Sequence, residues 1–146
     1  LFPDTAEVLG KLKSAGFLLF VVSNQSGVGR GLFSSSEVAA VNVELNIRIG
    51  YLIDEFQFCP HLPTDDCRCR KPKTEMFERI AARYKIDFRK SWMVGDKAID
   101  IEAGKNAGLK TIHVMTGYGE SEAHLANADY IAKNLTETGK IILDKH

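Results

Sequence analysis

All three cysteines of this chain and one of its four histidines lie between residues 59 and 69, in Cys59-Pro60-His61 and Cys67-Arg68-Cys69, and Arg70-Lys71-Pro72 follows at once. Three thiolates and an imidazole make a full tetrahedral set for zinc and leave no position for a reactive water, so the metal is read as structural. A metal that closes this loop also fixes where Arg70 and Lys71 point, and a fixed pair of cations suits a phosphate. A disulfide reading is disfavoured, because the cysteine count is odd and nothing marks the chain for secretion. In small zinc peptides such a site supplies on the order of 10 kcal/mol of folding free energy.

Two further clusters carry polar groups. Ser23-Asn24-Gln25, followed by Gly27, Gly29 and Gly31, offers a hydroxyl, two side-chain amides and backbone N–H groups. That combination suits an oxyanion, although a polar turn uses the same residues for backbone reasons alone. Arg30 in this loop is either a solvated arginine or a ligand. In Gly95-Asp96-Lys97-Ala98-Ile99-Asp100 two carboxylates stand four residues apart at the start of a helix. They can share a face and serve magnesium, or Asp96 can cap the helix while Asp100 meets solvent. His113 reads as a packed or edge strand residue, and His124 and His146 as surface.

The elements that must position these groups alternate between helix and strand. Asp4 starts a helix through about residue 15, ended by Gly16, and Phe17 to Val22 is an unbroken apolar run that reads as a strand covered on both faces. Ser34 with Glu37 fits a capping box, and Val38, Val41, Leu45 and Ile49 recur on one helical face. Phe56 and Phe58 mark a second strand ending at Cys59. A helix from about Thr74 to Tyr84 and a strand over Trp92, Met93 and Val94 come next. A helix through Ile99, Ile101 and Ala103 then stops at Gly108. Thr111 to Met115 gives a fourth strand, Gly117-Tyr118-Gly119 a loop, and Glu122 a short helix. A small strand at residues 129–131 and a helix from Thr136 to Leu143 close the chain. This order implies an open, doubly wound parallel sheet, in which ligands sit beyond the carboxyl ends of the strands. Ser23-Asn24-Gln25, Cys59 and Gly95-Asp96 all fall there.

At 146 residues, 45% hydrophobic and with a formal net charge of zero, the chain reads as one globular domain. No apolar run approaches the roughly 18 residues of a membrane span, and no signal peptide or basic block is present. A cytoplasmic protein with neither membrane nor nucleic acid as partner is expected. Its anion site must then be built from a few placed residues.

Taken in order, a hydroxyl-Asn strand end, a Lys-Pro after a zinc loop and a Gly-Asp-x-x-x-Asp resemble the haloacid dehalogenase superfamily of phosphatases. More narrowly, Ser23 to Gly31, Cys59-Pro60-His61, Cys67 to Pro72 and Val94 to Lys97 look like its zinc-containing subfamily. That subfamily joins heptose bisphosphate phosphatase with histidinol-phosphate phosphatase. The resemblance implies a phosphomonoester hydrolase with little cap over its site, catalytic Mg2+, structural Zn2+ and a phosphorylated small-molecule substrate. It implies that Ser23, Asn24 and Gln25 hold the phosphoryl group, that Lys71 neutralises its charge, and that Arg70 and Arg30 hold the substrate. Asp96 would bind magnesium, and Asp100 would be either a second ligand or an orienting group. Cys59, His61, Cys67 and Cys69 match the zinc ligands. Arg30-Gly31-Leu32-Phe33 favours heptose bisphosphate and a place in lipopolysaccharide precursor synthesis, whereas the short zinc loop looks more like the histidinol type.

The chain departs from that pattern at one place. The superfamily's first motif, an Asp-x-Asp on the central strand that supplies the nucleophile, does not occur upstream of Ser23. Asp65-Asp66 lies inside the zinc loop and cannot replace it. The chain starts at Leu1, almost directly in a helix, so a preceding strand that carries the motif is expected. Residues 1–146 alone are expected to be inactive, and a catalytically lost binding module is the alternative.

Overall fold

The structure, a computed structural model, describes residues 3–146. Helix α1 (Thr5–Ser14) leads into β1 (Phe20–Asn24), a single turn α2 (Ser26–Gly29) and the long α3 (Ser35–Arg48). Strand β2 (Glu55–Cys59), the Cys/His loop and α4 (Glu75–Arg83) follow. The second half runs β3 (Trp92–Gly95), α5 (Ala98–Asn106), β4 (Lys110–Val114), α6 (Gly119–Glu122), β5 (Tyr130–Ala132) and α7 (Leu135–Lys145). Every strand pairing is parallel, as the alternation of elements implies.

The sheet is divided. β1 pairs with β2, placing Asn24 opposite Cys59, while β3, β4 and β5 form a separate three-stranded sheet. Among the described residues the inner edges of β1 and β3 do not pair. Between them runs an apolar groove of about 630 Å³, lined by Leu12, Val21, Phe77, Ile80, Met93 and Ile142 among others. Helix α5 packs on β3 and β4, α4 on β2, and α1 on α7. Val22 alone touches two core clusters, one of Cys59, Cys69 and Met76 and the other of Phe77, Met93 and Ala103.

Two expectations are corrected. β1 begins at Phe20 rather than Phe17 and runs on through Ser23 and Asn24. The Phe17 N–H turns back to the Leu12 carbonyl, closing α1, and the Leu19 N–H donates to Asp54 Oδ2 at 2.7 Å. Those amides are spent before strand pairing starts, and every β1 residue is half-buried rather than covered on both faces. On α3 the capping box is present, with Ser34 Oγ accepting from the Glu37 N–H and Glu37 Oε1 from the Ser34 N–H. Val38 and Ile49 are buried, but Val41 is 68% exposed. At 3.6 residues per turn Val41 lies about 60° round the helix from Val38, outside a buried stripe narrower than the sequence pattern implies. Val38→Ala should therefore lower stability by about 1–2 kcal/mol, and Val41→Ala by less than about 0.5 kcal/mol, in urea denaturation followed by circular dichroism.

Candidate active site

Asn24, the last residue of β1, grips the main chain of Lys71 from both sides. Its Oδ1 accepts from the Lys71 N–H at 2.9 Å, and its Nδ2 donates to the Lys71 carbonyl at 3.3 Å. Asn24 closes the β1 ladder opposite Cys59, and its side chain reaches the segment just after the Cys/His loop. Lys71 itself is 8% exposed, and its ammonium donates to the Val22 carbonyl at 3.2 Å and to Asp100 Oδ1 at 2.6 Å. An ammonium has three N–H donors, so one remains for a ligand. Asp100 is 6% exposed, and its second oxygen accepts from the Lys97 N–H, the N-cap of α5. Both oxygens of Asp100 are thus engaged by the protein.

Asp96 lies just before that cap, outside the helix, and it is Asp100 rather than Asp96 that caps α5. Asp96 Oδ2 accepts from the Tyr118 N–H at 3.0 Å. A Cβ added at Gly117, whose φ is +58°, would collide with that carboxylate. At the end of β1, Ser23 Oγ accepts from Gln25 Nε2 at 3.3 Å, and the Gln25 N–H donates to the Cys59 carbonyl at 2.7 Å, tying the two strand ends together. Arg30 is exposed at the end of α2. Arg70 lies beside Lys71, and its Nη1 is buried without a hydrogen-bond partner. Leaving a charged donor buried and unpaired is costly, so Arg70 Nη1 is a candidate contact for an acceptor on a ligand.

The ligand atoms of Cys59, His61, Cys67 and Cys69 all lie within 4.8 Å of one another. His61 Nδ1 is 3.4 Å from Cys59 Sγ and 3.2 Å from Cys69 Sγ, and Cys59 Sγ is 3.5 Å from Cys67 Sγ. Cys59 and Cys69 Sγ stand 2.6 Å apart, closer than two ligands of one tetrahedral ion, so it is the donor set of three sulfurs and a nitrogen, rather than the spacing, that points to a soft four-coordinate metal. Burial pushes the Cys69 thiol up to about 12 and raises Cys59 as well. Burial acts the same way on Cys67, but hydrogen bonds from the Arg70 N–H and the neighbouring thiols outweigh it and lower that thiol to about 7. At neutral pH a metal must therefore displace protons from Cys59 and Cys69.

The groups at Asn24, Lys71, Asp100 and Val22 meet in one hydrogen-bonded unit, and the Cys/His loop leads straight into it. Arg30 stands apart. Sequence reasoning did not pick out the loop that holds Asp96. The Tyr118 contribution is a backbone N–H, which side-chain types cannot announce; only the spacing of Gly117 and Gly119 hinted at a close approach.

Comparison with known proteins agrees with this geometry. A family described as HAD-hydrolase-like matches residues 68–138. The D-glycero-β-D-manno-heptose-1,7-bisphosphate 7-phosphatase of Pasteurella multocida is 36% identical over 146 residues, covering 93% of this chain and 79% of that protein. The enzyme of the same name from Pseudomonas putida is 35% identical over 121 residues, covering 81% and 69%. Among solved structures, D,D-heptose 1,7-bisphosphate phosphatase from B. bronchiseptica, complexed with magnesium and phosphate, superposes with a TM-score of 0.89 at 28% identity. That match covers 99% of this chain and 84% of the other. Identity above a third along nearly the whole chain, on a shared parallel α/β architecture, is inheritance rather than convergence: the chain belongs to the HAD-like hydrolases, in the family of the heptose bisphosphate phosphatases.

Proposed function

We propose a magnesium-dependent phosphomonoesterase, a single domain over residues 1–146 and a preceding strand, that removes the 7-phosphate of D-glycero-D-manno-heptose 1,7-bisphosphate in the cytoplasm. The observation that carries this reading is the buried Lys71 ammonium, held at the strand ends by Val22 and Asp100 with one N–H to spare, next in sequence to Arg70, whose Nη1 is buried without a partner. Ser23, Asn24 and Gln25 border the phosphoryl group, and Arg30 reaches the second phosphate. The nucleophile is a carboxylate of an Asp-x-Asp on a strand seated between β1 and β3, where the groove is apolar and each flanking sheet is itself parallel. That carboxylate forms a bond to phosphorus as the sugar oxygen leaves with a proton from the second aspartate, and water then cleaves the aspartyl phosphate.

Asp96 holds the magnesium, which when bound offsets charge on the phosphoryl oxygens. Lys71 would do the same, aimed by Asp100, which on this reading is an orienting group rather than a metal ligand. Donors fixed before reaction are worth more than donors that must reorganise, which is why a buried, hydrogen-bonded lysine suits this role. Zinc on Cys59, His61, Cys67 and Cys69 holds the loop from which Arg70 and Lys71 project.

The lack of Asp-x-Asp favours a second reading, a zinc-stabilised module that binds a phosphorylated ligand without turning it over. Phosphate release separates the two. Residues 1–146 alone should release none from heptose bisphosphate, and the native protein carrying an upstream Asp-x-Asp strand should turn over. Turnover by residues 1–146 alone would refute the assigned chemistry; an inactive native protein would favour the module. In the active protein, Arg30→Ala should lower kcat/KM for heptose bisphosphate by at least about 10-fold, as loss of a charged contact does, and barely change it for histidinol phosphate. Equal losses on both substrates would remove the reason for preferring the heptose.

The metal loop gives a separate check. A chelator should lower the melting temperature, and zinc should restore it. Zinc affinity should fall as pH drops from about 8 to about 6, because thiolates bind the metal and protons compete for them. A melting temperature indifferent to chelator would argue against metal at Cys59 and Cys69.

A further inference from the structure

His113 sits on β4 at 1% exposure and takes no part in the chemistry proposed above. Its Nε2 is 2.7 Å from the Gly119 carbonyl, while its Nδ1 is buried with no partner. A carbonyl only accepts, so Nε2 carries the proton. This bond fixes the start of α6, and Gly119 is wedged so tightly that an added Cβ would collide with the Val114 carbonyl. One residue earlier, the Tyr118 N–H donates to Asp96 Oδ2. The same segment touches the metal motif twice more: Lys97 Nζ lies 4.4 Å from the Tyr118 ring centroid, and Glu122 Oε1 accepts from the Ala98 N–H at 3.0 Å. Three successive residues of the motif, Asp96 to Ala98, are therefore held from one side by a loop whose anchor is His113.

We infer that His113 and the Gly117–Gly119 loop are positioning elements for Asp96, setting its orientation and so the affinity of this protein for magnesium. Rotation of the carboxylate about its χ angles would otherwise spread its oxygens over several directions. The Tyr118 N–H ties down Oδ2 and leaves Oδ1 to a cation. Hydrogen-bond partners of a metal-binding carboxylate act on affinity in this way, by removing orientations that do not bind. The inference rests on Asp96 being the magnesium residue.

The test is magnesium binding to the full native protein without substrate, read by isothermal titration calorimetry, with circular dichroism to confirm folding. Tyr118→Pro removes the N–H at a residue whose φ of −81° proline accepts. Tyr118→Ala keeps the N–H and loses only the ring. The proline variant should bind magnesium about 10-fold more weakly or worse, and the alanine variant should lose less than a third of that. His113→Leu should behave as Tyr118→Pro does, and His113→Gln, whose amide can donate to Gly119, should recover part of the loss. If His113→Leu fails to fold, the Tyr118 pair decides alone. Parental affinity in Tyr118→Pro, or equal losses in both Tyr118 variants, would overturn the inference. Asp96→Asn binding as tightly as the parent would instead sink the metal role of Asp96, and the positioning role with it.

Discussion

The hydrogen bonds of the Lys71 ammonium are the interaction on which the rest depends. Its two acceptors belong to different halves of the molecule: the Val22 carbonyl is on β1, in the two-stranded sheet, and Asp100 is on α5, which packs against β3 and β4. One buried side chain thus spans the divide at the end where the ligand groups gather. An isolated charge in such a place would be prohibitive, and removal of one partner of a buried pair typically costs about 3–5 kcal/mol. Asp100 is therefore fixed by Lys71 as much as Lys71 is by Asp100, and the grip of Asn24 on the Lys71 main chain sets where the pair forms. What holds the halves in register is also what aims a cation into the crevice.

A divided sheet also explains which residues carry unusual exposure. Leu18 is 43% exposed although it lies in the apolar run that leads into β1, and all five residues of that strand are half-buried. Their apolar character is that of a strand flanked on both edges, whereas β1 is flanked on one. The apolar residues along the groove have the composition of a sheet interior, not of a surface. Two parallel edges facing each other across an apolar groove are a poor end state for a sheet, because their free N–H and C=O groups invite a strand between them.

Much of this was legible in the sequence because the signals are local. The four candidate metal ligands fall within one short loop, Ser34 and Glu37 announce a cap three residues apart, and the glycines that end helices sit where the pattern breaks. The fold class followed from the alternation of those elements. The misreadings came from backbone and tertiary contacts that residue types do not announce. Phe17 and Leu19 look like strand residues until Asp54, far along the chain, takes the Leu19 N–H. Val41 looks buried until α3 is placed on the sheet and its contact stripe proves narrow. Asp96 and Asp100 share a spacing but not a partner, since one meets a backbone amide after β4 and the other a lysine after the metal loop. Spacing along a helix shows what can meet, and the remote partner decides what does.

The same contrast bears on how a chain of zero net charge handles a doubly phosphorylated compound. Its surface supplies no broad positive field, so attraction must come from a few desolvated donors. Desolvated donors have to be rigid, because a mobile charge in a dry crevice finds the wrong partner. Each charged group here is held by its own contacts: Lys71 by Asp100 and Asn24, Arg70 by the Cys/His loop that precedes it, and the Asp96 carboxylate by an amide braced from His113. These contacts meet at Lys97, whose N–H donates to Asp100 and whose ammonium lies over the Tyr118 ring, and at the peptide bond that joins Arg70 to Lys71. That coupling keeps the phosphate chemistry together as a unit, while the Arg30 side chain, exposed at the end of α2, lies outside it and can vary with the substrate.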